Sequence, residues 1–299
     1  MGRLRRGTNM DESIAQRVTA KLGAMPAGER KVAQTLLANY PLAGLKTVAQ
    51  FSSDAGVSPP TVLRFAARIG FQGYGEFQAA LKQELSAQLQ SPLARSERLA
   101  QRLNDNTTSA FVDAVRENIA ETFAHVGEAQ LNAMAALLGD RKRSVYLVGG
   151  RFTDPIARYA AAHLRIIRPH VAHLSGQESA WRDRILDMTR SDVLVLFDIR
   201  RYQRSLLQFA ETAAKHRISV LLFTDQWLSP ISRVARHVVA ARTSVPSPWD
   251  SSAALFILVE ALFGRITENS APASVKRIRQ MERMGPFENF NDTPRRHGE

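Results

Sequence analysis

The sequence predicts an all-α N-terminal domain followed by a doubly wound α/β domain on a parallel five-stranded sheet. Three observations carry this. From Ile14 to Leu85 the apolar residues recur at helical spacing and no segment alternates like a strand. From residue 144 onward, short apolar runs rich in β-branched residues alternate with helical stretches. Between the two lies a polar stretch with one proline, SAQLQSPLARSERLAQRLNDN. A chain of 299 residues is long enough to bury two separate cores.

Taken in order, Ile14, Val18 and Leu22 fall at i, i+4 and i+8, followed by Val32, Leu36 and Leu37. Breaks fall at Met25–Glu29, Asn39–Pro41 and Gly70–Gly75. This sets the first domain at 1–86, a partly helical linker at 87–106, an α/β domain at 107–270 and a mobile basic tail at 271–299, beyond a short helix around Val275–Met284. The α/β domain opens with a long amphipathic helix from Thr107 to about His125 and a second from Glu128 to Leu138. The stripe Phe111, Val115, Ile119 and Phe123 on the first suits a core, within one subunit or between two. Strands are expected at 144–150, 170–174, 192–199, 218–225 and 237–243, with helices at 155–167, 177–189, 203–216, 227–235 and 251–267.

The composition, 44% apolar and 23% charged, is that of a globular chain. No apolar run approaches the length of a membrane span, and the basic N-terminus does not lead into an apolar signal core. The chain has no cysteine, which excludes disulfides and thiolate chemistry and fits a cytoplasmic protein. The net charge of +12 favours a polyanionic partner. Residues 1–86 hold eleven Lys and Arg against six Asp and Glu, so the excess is shared along the chain.

The segment from Thr47 to Phe71 reads as two helices joined by a tight turn. Val48, Ala49 and Phe51 form the apolar side of the first, and Gly56 supplies a turn with positive φ. Ser58 is the expected N-cap of the second, with Pro59 at its first position, where a missing N–H costs nothing. Val62, Phe65 and Ile69 face inward, which leaves Ser58, Pro60, Thr61, Arg64 and Arg68 outward. Such a helix suits the major groove of operator DNA, with its N-terminal residues on base edges and its arginines on bases or phosphates. The competing reading is a helical hairpin with a solvated face.

The stretch AGVSPPTVLRFAARIGFQGYGEFQAAL resembles the N-terminal domain of MurR/RpiR-type transcription regulators, with Thr61, Arg64, Phe65, Gly70, Phe71 and Gly73 in matching places. GERKVAQTLLANYP resembles that family's second helix, and residues from about Thr107 to Glu268 resemble its usual partner, a sugar isomerase (SIS) domain. The resemblance implies a DNA-binding regulator, not an enzyme, that senses a sugar phosphate. A homodimer or homotetramer joined through the sensor domains, including the helix at 107–125, would let two such motifs read two half-sites.

In a parallel sheet the ligand crevice lies at the strand C-termini, beside the topological switch point. The polar strand ends here nominate Gly150, Arg151, Thr153, Arg200, Arg201 and Gln226 as effector-binding residues, with guanidinium groups suited to an anion. The family's phosphate loop, of the form S-x-S-G-x-T after the third strand, reads DIRRYQRS here, and its glycine and nearly all its hydroxyls are gone. After the first strand GGRFT keeps Gly149 and Thr153 from G-x-G-x-S. A carboxylate therefore fits the loop at least as well as a phosphosugar. The rival expectation is that the arginines pair with Asp154, Asp198 or helix carboxylates and bind nothing.

No cofactor or metal is expected. His170 and His173 stand three apart on a strand and so point to opposite faces. An isomerase-like enzyme with an accessory helical domain is the alternative, with His163, Glu178 and Glu260 as acid–base candidates that no motif positions together. Trp249, in a Pro-Ser-Pro-Trp loop, is a candidate for lining a pocket or an interface.

Overall fold

The computed structural model describes residues 13–100, 107–269 and 271–284. The N-terminal part contains α1 (Ile14–Lys21), α2 (Ala27–Ala38), α3 (Val48–Asp54), α4 (Pro59–Arg68) and α5 (Tyr74–Leu89). Ser13 opens α1 and Thr47 opens α3, each closing a reciprocal capping box with a glutamine three residues on. Ile14, Val18, Val32, Leu36, Phe51, Phe65 and Phe77 are essentially fully buried in one core. There the Phe65 and Phe77 rings meet edge to face at 6.2 Å. Gly56 makes the turn between α3 and α4 at φ +59°, as its lack of a Cβ permits. Ala49, expected on the inner side of α3, is exposed. Phe51 and Ser52 take the inward positions there, with Val48 packed against the core.

The C-terminal part runs α7 (Thr107–His125), α8 (Glu128–Gly139), β1 (Val145–Gly149), α9 (Asp154–Ile167), β2 (Val171–His173), α10 (Glu178–Asp187), β3 (Val193–Asp198), α11 (Arg204–Lys215), β4 (Ser219–Asp225), β5 (His237–Ala241), α12 (Ala253–Asn269) and α13 (Ala271–Glu282). The sheet is parallel throughout in the order β2-β1-β3-β4-β5. Alternate residues of one strand serve opposite layers. Val193, Val195 and Phe197 pack with α8, α9 and α12, whereas Leu194 and Leu196 pack with α10 and α11. This is why the central strands read as unbroken apolar runs. Arg168, after α9, is 1% exposed and donates to the carbonyls of Leu138, Arg143 and Pro169, tying the end of α8 to the foot of the sheet. Burial lowers its pKa to about 10, so it stays charged at neutral pH.

One of the expected helices is corrected and two segments expected as partly helical are defined. The helix expected at 227–235 shrinks to one 3-10 turn, Pro230–Arg233. Leu228 adopts φ +60° just before it, and the Ser229 hydroxyl caps the turn at Ile231 N–H. The stretch expected as a linker holds the last turn of α5 and a separate helix, α6 (Pro92–Ala100), while residues 101–106 lie outside the described residues. The short helix expected around Val275–Met284 is present as α13, beginning four residues earlier and packed on α9, where Arg277 Nε donates to the Arg165 carbonyl at 2.8 Å. Residues 285–299 lie outside the described residues.

The two domains meet along a polar seam. Ser13 Oγ donates to the Gln226 carbonyl at 2.5 Å, and Arg200 Nη1 donates to the Ala87 carbonyl of α5 at 2.7 Å. Glu84 of α5 accepts from Ile14 N–H at 2.7 Å and from the Tyr40 hydroxyl, and burial raises its pKa.

Candidate functional site

On the N-terminal domain, α4 turns Val62, Phe65 and Ile69 into the core and leaves Ser58, Pro60, Leu63, Arg64, Ala67 and Arg68 exposed. Ser58 occupies the N-cap with extended backbone, yet its hydroxyl caps no N–H. Pro59 and Pro60 carry no N–H, and Thr61 N–H is already bonded to the Ser58 carbonyl at 2.9 Å. Thr61, expected outward, is only 9% exposed. It stands one turn before Phe65 and shares its inward side, its methyl facing Gly28 of α2. Its Oγ1 accepts from Arg64 Nη2 at 3.0 Å and thus holds the exposed guanidinium in place. Arg68 is committed elsewhere, ion-paired to the buried carboxylate of Glu29. Leu63, 47% exposed beside Arg64, was missed by the sequence reading, which assigned apolar side chains to the core.

On the α/β domain, the strand order reverses between β1 and β3, and a cleft of about 650 Å³ opens at their C-terminal ends. Gly150, Arg151, Thr153, Arg200 and Arg201 all line it, as the sequence suggested. Gln226 does not. It follows β4 on the domain seam, where its side chain donates to Ser244 Oγ at 3.1 Å and its carbonyl receives Ser13.

Within the cleft the arginines divide. Arg200 is packed over Trp227 at 4.1 Å, bonded to Ala87, and has Nε 2.7 Å from Asp250 Oδ2, close but not aligned as a hydrogen bond. The same carboxylate accepts from Arg95 Nη1 of α6 at 2.9 Å. The expected sequestration by a carboxylate therefore holds for Arg200, but Asp250 performs it and not Asp198. Arg151 and Arg201 are exposed and their guanidinium groups have no carboxylate partner among the described residues. Arg201 is held at φ +61°, a left-handed conformation that costs a non-glycine residue about 1–2 kcal/mol.

Beneath the cleft floor lie two buried carboxyl groups. Burial pushes Asp198 up to about 7, against the hydrogen bonds it accepts from Ser229 Oγ at 2.5 Å and Gln203 N–H at 3.4 Å. Burial pushes Asp225 up to about 6, against donors from the Tyr202 hydroxyl and the Arg200 and Trp227 N–H groups. Several of the hydroxyls and amides that would cradle a phosphate are already used. Thr153 Oγ1 donates to the Phe197 carbonyl at 2.6 Å and accepts from Gly150 N–H at 2.8 Å, while Arg151 N–H donates to Gln203 Oε1 at 2.7 Å. Gly149 is required sterically, since a Cβ there would meet Asp154 N at 2.5 Å.

None of the isomerase candidates lines the cleft, although His163 and Glu260 meet at Tyr159. His163 stacks on Phe263, Glu260 accepts from the Tyr159 hydroxyl and Glu178 accepts from Gln203 Nε2. His173 Nε2 lies 2.8 Å from Asp154 Oδ1. No described helix is long and apolar enough to cross a membrane.

Comparison with known proteins places this geometry in context. Residues 12–88 match the helix-turn-helix domain of the rpiR family, and residues 138–265 match the SIS domain. The HTH-type transcriptional regulator HexR of Pseudomonas aeruginosa is 33% identical over 76 residues, 25% of this chain and 27% of that protein. HexR of Escherichia coli is 23% identical over 243 residues, 80% of each chain. The structure of the Vibrio vulnificus NanR protein complexed with ManNAc-6P superposes with a TM-score of 0.53 at 16% identity, covering 91% of this chain and 97% of that one. Two domains matched in this order, with HTH-type regulators similar along most of the length, show that the chain belongs to the MurR/RpiR type of transcription regulator.

Proposed function

We propose that the chain is a cytoplasmic transcription regulator that binds operator DNA through α4 and lets a small anion in the β1–β3 cleft alter that binding. One observation carries the reading: the cleft is walled on its far side by Gln90, Pro92 and Arg95, from the segment that leads back to the DNA-binding domain. A ligand entering there touches the tether directly. An anion competes with Asp250 for Arg95 and Arg200, and Arg200 in turn holds the Ala87 carbonyl of α5. Differential contact of this kind is what couples two sites. Arg151 and Arg201 supply the free charge. NanR, complexed with ManNAc-6P, supports an anionic metabolite as the effector class.

Ser58, Pro60, Leu63 and Arg64 form the base-reading surface, with Thr61 positioning Arg64, while Arg68, half-exposed in its pair with Glu29, lies near the phosphates. Assembly as a homodimer or homotetramer places two such helices on half-sites about 34 Å or a multiple apart. The exposed Phe111 and Val112 on α7 support a subunit contact there. The test is operator titration by fluorescence anisotropy, with and without a panel of phosphosugars and organic acids. Affinity for operator that no member of the panel changes, together with unchanged affinity in Arg64→Ala, would overturn the reading.

A further inference from the structure

We infer that the cleft takes an aromatic carboxylate, with its ring against Trp249 and Phe152 and its carboxylate on Arg201 and Arg151. This rests on the effector reading above and narrows it to one ligand chemistry. Three features point to it.

First, Phe152 and Trp249 stand together at the cleft, 60% and 59% exposed, with ring centroids 6.1 Å apart. Large aromatic side chains left this open beside one another cost hydration free energy unless something covers them. A flat apolar ring is the cover that their geometry suits. Second, the Arg151 guanidinium lies 5.2 Å from the Phe152 ring centroid, so charge and ring face are adjacent, as a molecule with both an anionic and an aromatic end requires. Third, four of the donors that a phosphate cradle could use are consumed. The Thr153 hydroxyl, Gly150 N–H, Arg151 N–H and Ser229 hydroxyl all have partners within the protein. The charged donors left at the cleft, on Arg151 and Arg201, are guanidinium groups, whose fork matches a planar carboxylate. A cleft of about 650 Å³ holds a small aromatic acid with room for solvent.

The full-length protein reports on this directly. Of its tryptophans, Trp181 and Trp227 are 6% and 7% exposed, so an added ligand quenches chiefly Trp249. Calorimetry and tryptophan fluorescence with phenylacetate and benzoate, against acetate, gluconate and glucose 6-phosphate, should show the aromatic acids binding roughly tenfold more tightly than acetate or the phosphosugar. Trp249→Leu should remove the quench and weaken phenylacetate several-fold, while Arg201→Ala should weaken phenylacetate and benzoate alike. Glucose 6-phosphate or gluconate binding in an Arg201-dependent way, with aromatic acids no better than acetate, overturns this inference and leaves the effector reading standing. Failure of every probe overturns both. A Trp249→Leu protein that falls in mass by light scattering while keeping full phenylacetate affinity makes the ring pair a subunit contact, and the inference fails.

Discussion

Arg200 is 9% exposed at its side chain and bound on every side, whereas Arg201, one residue on, reaches solvent from a left-handed backbone. Arg201→Gly should relieve that backbone and raise stability by about 1 kcal/mol in urea unfolding, while weakening the effector. The buried carboxyls give a second residue-scale prediction. Asp198 and Asp225 ordinarily titrate near 3.8 but are raised to about 7 and about 6 in the fold. The fold therefore favours their protonated forms. The stability this confers is complete below pH of about 4 and is lost as pH rises through about 6 and 7, with a slope of up to about 1.4 kcal/mol per pH unit for each proton released. Urea midpoints measured from acidic to mildly alkaline pH should fall accordingly, and Asp198→Asn should flatten the upper part of that fall. The sequence nominated both arginines and could not tell them apart. Their difference is set by Asp250, which nothing in the local pattern links to β3.

At the scale of elements, the recognition helix was legible because its signals are local: a glycine turn, a proline at the first position and apolar residues at one spacing. Its outer face was less so. Thr61 was expected outward, yet the helical turn that places Phe65 inward carries Thr61 with it. Arg64→Ala should weaken operator binding by about 1–3 kcal/mol if the side chain reads a guanine, as measured by anisotropy at fixed salt. Thr61→Val keeps the buried shape but frees the guanidinium, so it should give a smaller loss with unchanged thermal stability. The strand runs were equally legible, since each central strand is buried on both faces. The helix expected at 227–235 failed because periodicity does not register a left-handed Leu228 followed by Ser-Pro. Where β1 meets α9, a Cβ on Gly149 would strike backbone and not a movable side chain. Gly149→Ala should cost about 1–3 kcal/mol and loosen the cleft, visible as a lower melting temperature.

Across the whole molecule, the order of domains was legible and their contact was not, because the seam is made of residues far apart in sequence, such as Ser13 with Gln226 and Ala87 with Arg200. Asp250→Ala leaves Arg95 and Arg200 without their shared carboxylate. We expect such a protein to bind operator in ligand-free and ligand-saturated conditions with nearly the same affinity, losing most of a coupling of about 1–3 kcal/mol. Charging the exposed part of α7, by Phe111→Lys with Val112→Lys, should lower the mass seen by light scattering without unfolding the sheet.

Because the end of α5 and the start of α6 form one side of the cleft, the chain is not a pair of interchangeable cassettes. A sensor cut out at its family boundary, or spliced behind a foreign DNA-binding domain, would arrive with its ligand chamber open on one side. Exchange of parts between such regulators must carry residues 87–100 along with the α/β domain to keep the cleft wall intact.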